Sequence, residues 1–342
     1  MSFLPAPGWD ATLASAFRPF DRPDTLAGRV LRADRGVCTV FAAGGVHRAS
    51  LAGSLLLSAA ADPADLPCAG DWAVLRRWPD RRLTLEVVLP RRTALVRRTA
   101  DKDSTGQVLA TNMDVVAVVE PMHPAPDDAR VERLLALAWE SGAQPVIVLS
   151  KCDTARDPGA VARQLAELAP GVRVLPVSVR SGAGVAELCG LTEGGRTLAL
   201  LGRSGAGKSS IVNALAGTDV MGVQEIRRAD GKGRHTTAYR SLVLLPQGGA
   251  VLDTPGIRGV GLLDTGEGLE RAFADVAALA AHCRFGDCGH DAEPGCAVRA
   301  ALEDGTLAPR RWESWRKLHR EVAEESGRKA ARLASYGRRR PR

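Results

Sequence analysis

At 342 residues and 45% hydrophobic side chains, the chain is long enough for two or three domains with real cores. No apolar run reaches membrane-spanning length, no apolar core of a secretory leader stands at the N-terminus, and seven cysteines, with Cys38, Cys68, Cys152 and Cys189 scattered, imply no disulfide framework. A reducing, cytoplasmic setting without a membrane is expected. The net charge of +7 is unevenly spread: residues 76–98 carry a net +6 and residues 305–342 a net +8, whereas 99–304 carry a net −6. Two basic ends flanking an acidic centre point to a polyanionic partner.

Residues 1–25 contain proline and aromatics without periodicity and read as a loosely structured arm. From Ala27 the texture changes to short strand-like runs at 28–34, 37–43, 46–52, 71–78 and 82–90, punctuated by Arg35-Gly36, Gly44-Gly45, Gly70-Asp71 and Pro79-Asp80. Five short strands in so short a span predict a small oligonucleotide-binding (OB) barrel over 26–92, with Arg29, Arg32, Arg48, Arg76 and Arg77 exposed on its surface.

After Arg98 strands alternate with helices. Residues 115–119 and 145–149 are continuous apolar runs, and between them 130–141 places Val131, Leu134, Leu135, Ala138 and Trp139 at helical spacing before a stop at Gly142. This predicts an α/β domain over 93–263 with a mostly parallel sheet. Ser150-Lys151-Cys152-Asp153 lies at the C-terminal end of the second strand, where open α/β sheets bind ligands. The string resembles the N/T-K-x-D motif of GTPases, in which the carboxylate accepts two hydrogen bonds from guanine and the lysine stem lies over the base. Asp153 would be that carboxylate, and Ser150 stands where the motif usually has Asn. A further strand at 172–177 leads into 178–182, which could support the base through its backbone.

Residues 202–210, GRSGAGKSS, fit G-x-x-x-x-G-K-[ST], between a buried strand at 197–201 and an apolar-faced helix at 210–216. In this setting Gly202, Arg203, Ser204, Gly205, Ala206, Gly207, Lys208, Ser209 and Ser210 form a phosphate loop. Inward N–H groups and a helix N-terminus face the phosphates, Lys208 reaches the terminal ones, and the Ser209 hydroxyl can ligate Mg2+. A hairpin predicted over 241–245 and 250–252 ends in Asp253-Thr254-Pro255-Gly256. This string resembles the D-x-x-G motif of GTPases, whose Asp holds Mg2+ through water and whose Gly backbone senses the γ-phosphate. Downstream, Cys283, Cys288, His290 and Cys296 match a closed tetrahedral site for structural Zn2+, in a segment too polar to be a core. A short helix follows over 297–303. The last helix carries Trp312, Trp315 and His319 as a packing stripe, and its tail from Arg328, with seven basic residues and no acid, is expected to order only on RNA.

The motif order is rotated, with base-recognition elements before the P-loop and the D-x-x-G string after it. The chain thereby resembles the circularly permuted GTPases, and in particular the bacterial small ribosomal subunit biogenesis GTPase family, across GRVLRADRGVCTVF in the barrel, the permuted domain, GKGRHTT at 231–237 and the terminal Cys/His cluster. The resemblance implies a multidomain α/β protein: an N-terminal OB-fold β-barrel, a circularly permuted P-loop GTPase domain, and a mostly helical zinc-binding module over 264–342. It implies GTP hydrolysis to GDP stimulated by the 30S ribosomal subunit, with 16S rRNA as the polyanion. The chain is expected to act as a monomer. Ile257 stands where Ras-like enzymes carry a Gln, so slow intrinsic hydrolysis is expected, with His235 as the internal candidate for orienting water and Thr236 or Thr237 as the Mg2+ ligand of the mobile loop. A P-loop ATPase or kinase is disfavoured by Asp153, and a nucleotide-independent RNA-binding protein by intact Lys208, Ser209 and Asp253.

Overall fold

The computed structural model describes residues 7–98, 106–220, 241–253 and 266–337. His235, Thr236, Thr237 and Gly256 lie outside the described residues.

Residues 7–24 are an ordered part of the barrel and not a loose arm. Asp10 caps α1 (Ala11–Phe17) by accepting from the Leu13 N–H at 2.9 Å, and Leu13 and Phe17 pack with Trp9 and Phe20 against Trp72, Val74 and Leu89. The aromatic residues that break the periodicity are the reason: Trp9 meets the Trp72 ring edge-on at 4.9 Å.

The barrel consists of β1 (Thr25–Asp34), β2 (Val37–Ala42), β3 (Gly45–Leu51), β4 (Trp72–Arg77) and β5 (Leu83–Val88), closed in the order β1-β2-β3-β5-β4. The β3/β5 pair is parallel and the others antiparallel, with α2 (Gly53–Ala61) bridging β3 towards β4. Alternation in β2 turns Cys38, Val40 and Ala42 inward, where they meet Val30, Ala49, Ala73, Leu75 and Leu85. Gly28 permits the tight crossing of β1 over β4, because a Cβ there would stand 2.6 Å from the Leu75 side chain. Of the five arginines expected on the surface, Arg48, Arg76 and Arg77 are exposed and Arg32 is half-buried. Arg29 is fully buried, because its side chain turns from the barrel into the neighbouring domain.

A hairpin of β6 (Ala94–Arg98) and β7 (Gly106–Thr111) leads into the α/β domain. There β8 (Val115–Pro121), α3 (Asp128–Glu140), β9 (Gln144–Ser150), α4 (Pro158–Leu168), β10 (Arg173–Val177), α5 (Val185–Gly190), β11 (Thr197–Leu201), α6 (Lys208–Ala216), β12 (Ser241–Leu244) and β13 (Ala250–Asp253) build a six-stranded sheet ordered β10-β9-β8-β11-β13-β12. Every neighbouring pair is parallel except β12 with β13. β8 and β11 are buried along their whole length, as continuous apolar strands covered by helices on both faces must be. The chain winds outward from β8 to β10, then returns to β11 on the other side of β8. The crevice above the β8/β11 junction is therefore a topological switch point, the place where such sheets hold ligands.

The C-terminal module contains α7 (Glu267–Ala272), α8 (Ala274–Ala280), α9 (Ala297–Glu303) and α10 (Pro309–Gly337). It docks on α3. The Gly268 N–H donates to Glu140 at 2.9 Å, and a Cβ on Gly268 would come within 2.3 Å of the Ala136 carbonyl oxygen, so only glycine allows α7 this close. Arg271 covers the Trp139 ring at 3.8 Å. The basic tail, expected to lack structure on its own, continues α10 as far as Gly337, in keeping with the helix-favouring Arg, Lys and Ala that fill it. Among the described residues no helix is long and apolar enough to cross a membrane.

Candidate nucleotide site and metal centre

The P-loop spans the end of β11 and the start of α6. Gly202 passes so close to β8 that a Cβ would stand 2.3 Å from the Val119 carbonyl oxygen, and Gly205 and Gly207 take left-handed backbone at φ 80° and 91°. Side chains bind the loop from behind. Lys208 Nζ donates to the Gly202 and Arg203 carbonyls at 2.9 and 3.0 Å, Lys151 Nζ to the Gly205 carbonyl at 2.9 Å, and Ser150 Oγ to the Ala206 carbonyl at 2.6 Å. Four carbonyls are satisfied in this way, and the Ala206 N–H closes a turn on the Arg203 carbonyl at 3.3 Å.

The Ser150 hydroxyl thereby ties the end of β9 to the P-loop. Lys151 sits at φ 56°, which turns the chain sharply into a short 3-10 turn at Cys152–Thr154. The turn places Asp153 in a cleft of about 320 Å3 lined also by Ser150, Lys151, Val177, Ser178, Arg180, Gly207 and Ser210. A hydrogen bond from Ser178 and the charge of Arg180, 3.8 Å away, hold the Asp153 carboxyl below the usual carboxylate range. It is ionised and can accept. Cys152, expected among the nucleotide-binding residues, turns away from the cleft into the core packed under α3, so its part is to anchor the turn.

Lys208 and Asp253 are both buried at the switch point. Burial holds the Lys208 ammonium below its usual range against the charges of Asp253 and Glu120, and it pushes the Asp253 carboxyl up against the charge of Lys208. Asp253 Oδ1 has no hydrogen-bond partner among the described residues. A buried, orphaned carboxylate oxygen close enough to feel the charge of the P-loop lysine is a hard oxygen donor of the type that Mg2+ takes, so Asp253 fits the ion.

The ligand atoms of Cys283, Cys288, His290 and Cys296 all lie within 4.8 Å of one another. The Cys283 and Cys296 sulfurs are 3.9 Å apart, and His290 Nδ1 is 3.5 and 3.4 Å from them. A tetrahedral ion with Zn–S of about 2.3 Å and Zn–N of about 2.0 Å would set these spacings near about 3.8 and 3.5 Å. The set therefore fits zinc. His290 reaches it with φ 62°, and its ring is held edge-on by Trp312 at 5.6 Å and Trp315 at 6.2 Å, while Trp315 and His319 stack at 4.6 Å. The aromatic stripe of the last helix packs against the metal loop, as its spacing suggests.

Sequence reasoning missed two charged sets around the site. Glu120, at the end of β8, is buried and accepts from Arg130 at 2.6 and 3.0 Å. Glu132, equally buried on α3, accepts from Arg310, Arg311 and Ser314 of α10. A Glu inside an amphipathic stripe reads as solvent-facing, and no local signal names a partner almost 180 residues away.

The family model described as RsgA GTPase matches residues 88–263. The small ribosomal subunit biogenesis GTPase RsgA of Streptomyces coelicolor is 49% identical over 99% of this chain and 93% of its own length. Among solved structures, YjeQ from Thermotoga maritima matches with TM-score 0.65 and 25% identity over 87% of this chain and 99% of that one. YloQ, described as a circularly permuted GTPase, shares the fold at TM-score 0.60 and 22% identity over 89% of this chain and 96% of its own. With a model covering half the chain and a relative nearly half identical along almost all of it, this chain belongs to the RsgA GTPase family.

Proposed function

We propose that this chain is a GTP hydrolase of small ribosomal subunit biogenesis, which binds the 30S subunit and its 16S rRNA late in maturation and releases GDP and phosphate under stimulation by the subunit. The observation that carries this reading is the convergence of the P-loop and the Ser150–Asp153 turn on one cleft, joined by the Ser150 hydroxyl. The Streptomyces coelicolor relative, named for small-subunit biogenesis, supports the choice of partner.

In the site, ionised Asp153 accepts the two guanine donors, and adenine would leave it unmatched. The N–H groups of Gly205 and Gly207 and of the first turn of α6 hold the phosphates, Ala206 joins them by giving up its bond to the Arg203 carbonyl, and Lys208 exchanges its loop carbonyls for the terminal phosphate oxygens. Ser209, Asp253 and one of Thr236 and Thr237 would hold Mg2+, which when bound neutralises charge developing on the transferred phosphate. With Ile257 following the D-x-x-G string, His235 orients the water and the subunit completes the site. Zn2+ is the proposed ion of the Cys283, Cys288, His290 and Cys296 set, with a structural role because no coordination position is left open.

We assign 26–92 to the barrel, 93–263 to the GTPase domain and 264–342 to the zinc module, and place the protein in the cytoplasm as a monomer. GTP turnover with and without purified 30S subunits tests the reading. Stimulated hydrolysis of GTP but not ATP is expected; equal turnover of both nucleotides, or no response to subunits, would overturn it.

A further inference from the structure

We propose that Arg29 is a positioning residue that locks the barrel to the P-loop strand, so that binding of the barrel to rRNA is felt at the site of hydrolysis. The inference rests on the proposed function and names how the subunit's stimulation reaches that site.

Arg29 belongs to β1, paired with Phe41 on one side and Trp72 on the other, but its guanidinium leaves the barrel altogether. It donates to Thr197 Oγ1 at 2.6 Å, to the Asn112 carbonyl at 3.4 Å and to the Pro7 carbonyl, while lying over the Trp72 ring at 5.3 Å. One side chain therefore joins the N-terminal segment, the barrel and the first residue of β11. Thr197 is held from the other side as well: its N–H donates to Asp114 Oδ2 at 2.7 Å, and its carbonyl accepts from the Asp114 N–H at 2.9 Å. From Thr197 the strand runs through Leu201, fully buried between β8 and β13, to Gly202 packed on the Val119 carbonyl. A close-packed strand of this kind moves as a unit, so a displacement of its head reaches the P-loop roughly 16 Å away with little loss.

Stability alone does not call for an arginine here. All its acceptors are neutral, no carboxylate pairs with it among the described residues, and its Nε has no partner among them. Burial, only partly offset by the charges of Asp114 and Asp71, holds the guanidinium down to about 10. An apolar side chain of similar volume in such a place is often neutral or stabilising. What an apolar side chain cannot supply is direction: the planar fork fixes two backbone carbonyls and the Thr197 hydroxyl in one relative orientation. The barrel's exposed Arg48, Arg76 and Arg77 provide the surface on which RNA would pull.

The test compares Arg29→Met, Thr197→Val and Thr197→Ser with the wild-type full-length chain. Melting temperature, basal GTP turnover, 30S affinity and 30S-stimulated turnover are measured for each. Arg29→Met and Thr197→Val are expected to fold, to bind subunits and to keep basal turnover, but to lose on the order of tenfold in stimulation, the size of one ordinary coupling. Thr197→Ser, which keeps the hydroxyl, should be stimulated as the wild type is. Should Arg29→Met not fold, the near-isosteric Val and Ser pair at position 197 decides. Undiminished stimulation of Thr197→Val, equal losses in Val and Ser, or a loss that merely follows 30S affinity would overturn the role of Arg29 alone. A wild-type chain that subunits do not stimulate would overturn the proposed function with it.

Discussion

Glu132→Ala should release the C-terminal module from the GTPase domain. The Glu132 side chain is fully buried and accepts from Arg310 at 2.9 Å, from Arg311 at 2.8 Å and from the Ser314 hydroxyl at 2.5 Å. Arg311 is itself only 7% exposed, stacks on Phe273 at 3.9 Å and donates to Asp275 and to the Ala272 carbonyl. Removing one partner of a buried pair costs about 3–5 kcal/mol, mostly because the other charge is stranded. Asp275 still faces Arg311, which puts the loss at the low end, about 3 kcal/mol or roughly a hundredfold in docking. Native-state hydrogen exchange reads this directly: amides of α7 and of the first turns of α10 should lose protection, while β8, β9 and β11 keep theirs. Unchanged protection in α7 and α10 would refute the reasoning. The same clamp has a pH limit. Burial pushes the Asp275 carboxyl up, but the hydrogen bonds and charge of Arg311 outweigh it and hold the group below its usual range. A depressed carboxyl stabilises docking above its unfolded pKa, and the contribution disappears as pH falls through the lower folded value. Module protection should therefore persist at neutral pH and fade on acidification below about 4.

Asp153→Asn should weaken GTP by about 1–3 kcal/mol and weaken XTP less, because an amide cannot accept both guanine donors but can donate to the xanthine oxygen; equal affinities before and after the change would remove Asp153 from base recognition. One zinc per chain is expected from metal analysis of protein purified without chelator, and Cys288→Ser should unfold the C-terminal module while GTP binding persists. Affinity for 30S subunits should fall steeply with salt, less steeply once residues 328–342 are deleted, and should be higher with a non-hydrolysable GTP analogue than with GDP; an affinity indifferent to salt would contradict the RNA contacts, and one indifferent to nucleotide would contradict the switch.

Most of the architecture is legible because its signals are local. The five barrel strands, the apolar runs of β8, β9 and β11 and the G-x-x-x-x-G-K-[ST] string each declare themselves within a dozen residues, and the Cys and His residues that the fold brings together fall within fourteen. What escapes the sequence is whatever depends on a distant partner. Arg29 reads as a surface arginine of an RNA-binding barrel until Thr197 and Asn112 are brought beside it. The first helix hides among prolines and aromatics because its apolar surface is completed by Trp72 and Leu89 of the barrel. Cys152 sits within a nucleotide motif, yet a left-handed Lys151 rotates it into the core.

The rotated order of the motifs has a mechanical consequence. In this arrangement β13 ends at Asp253, and in sequence only the twelve residues 254–265, Gly256 among them, separate it from Gly266 at the head of α7. Both ends of that segment are fixed: Asp253 is buried beside Lys208, and α7 is pressed onto α3 through Gly268 and Glu140. On the proposed function, a γ-phosphate-driven shift at Asp253 would thus pull on a covalent tether of twelve residues that ends at α7. The Glu132–Arg311 clamp sets the resistance to that pull, since it holds α10, and through Trp312 the His290 ring, against α3. Loosening the clamp with Glu132→Gln, which removes the charge but leaves an acceptor, should therefore narrow the difference in 30S affinity between the GTP analogue and GDP without changing nucleotide affinity in the free protein. An unchanged difference would mean that the module does not receive the nucleotide signal through this tether.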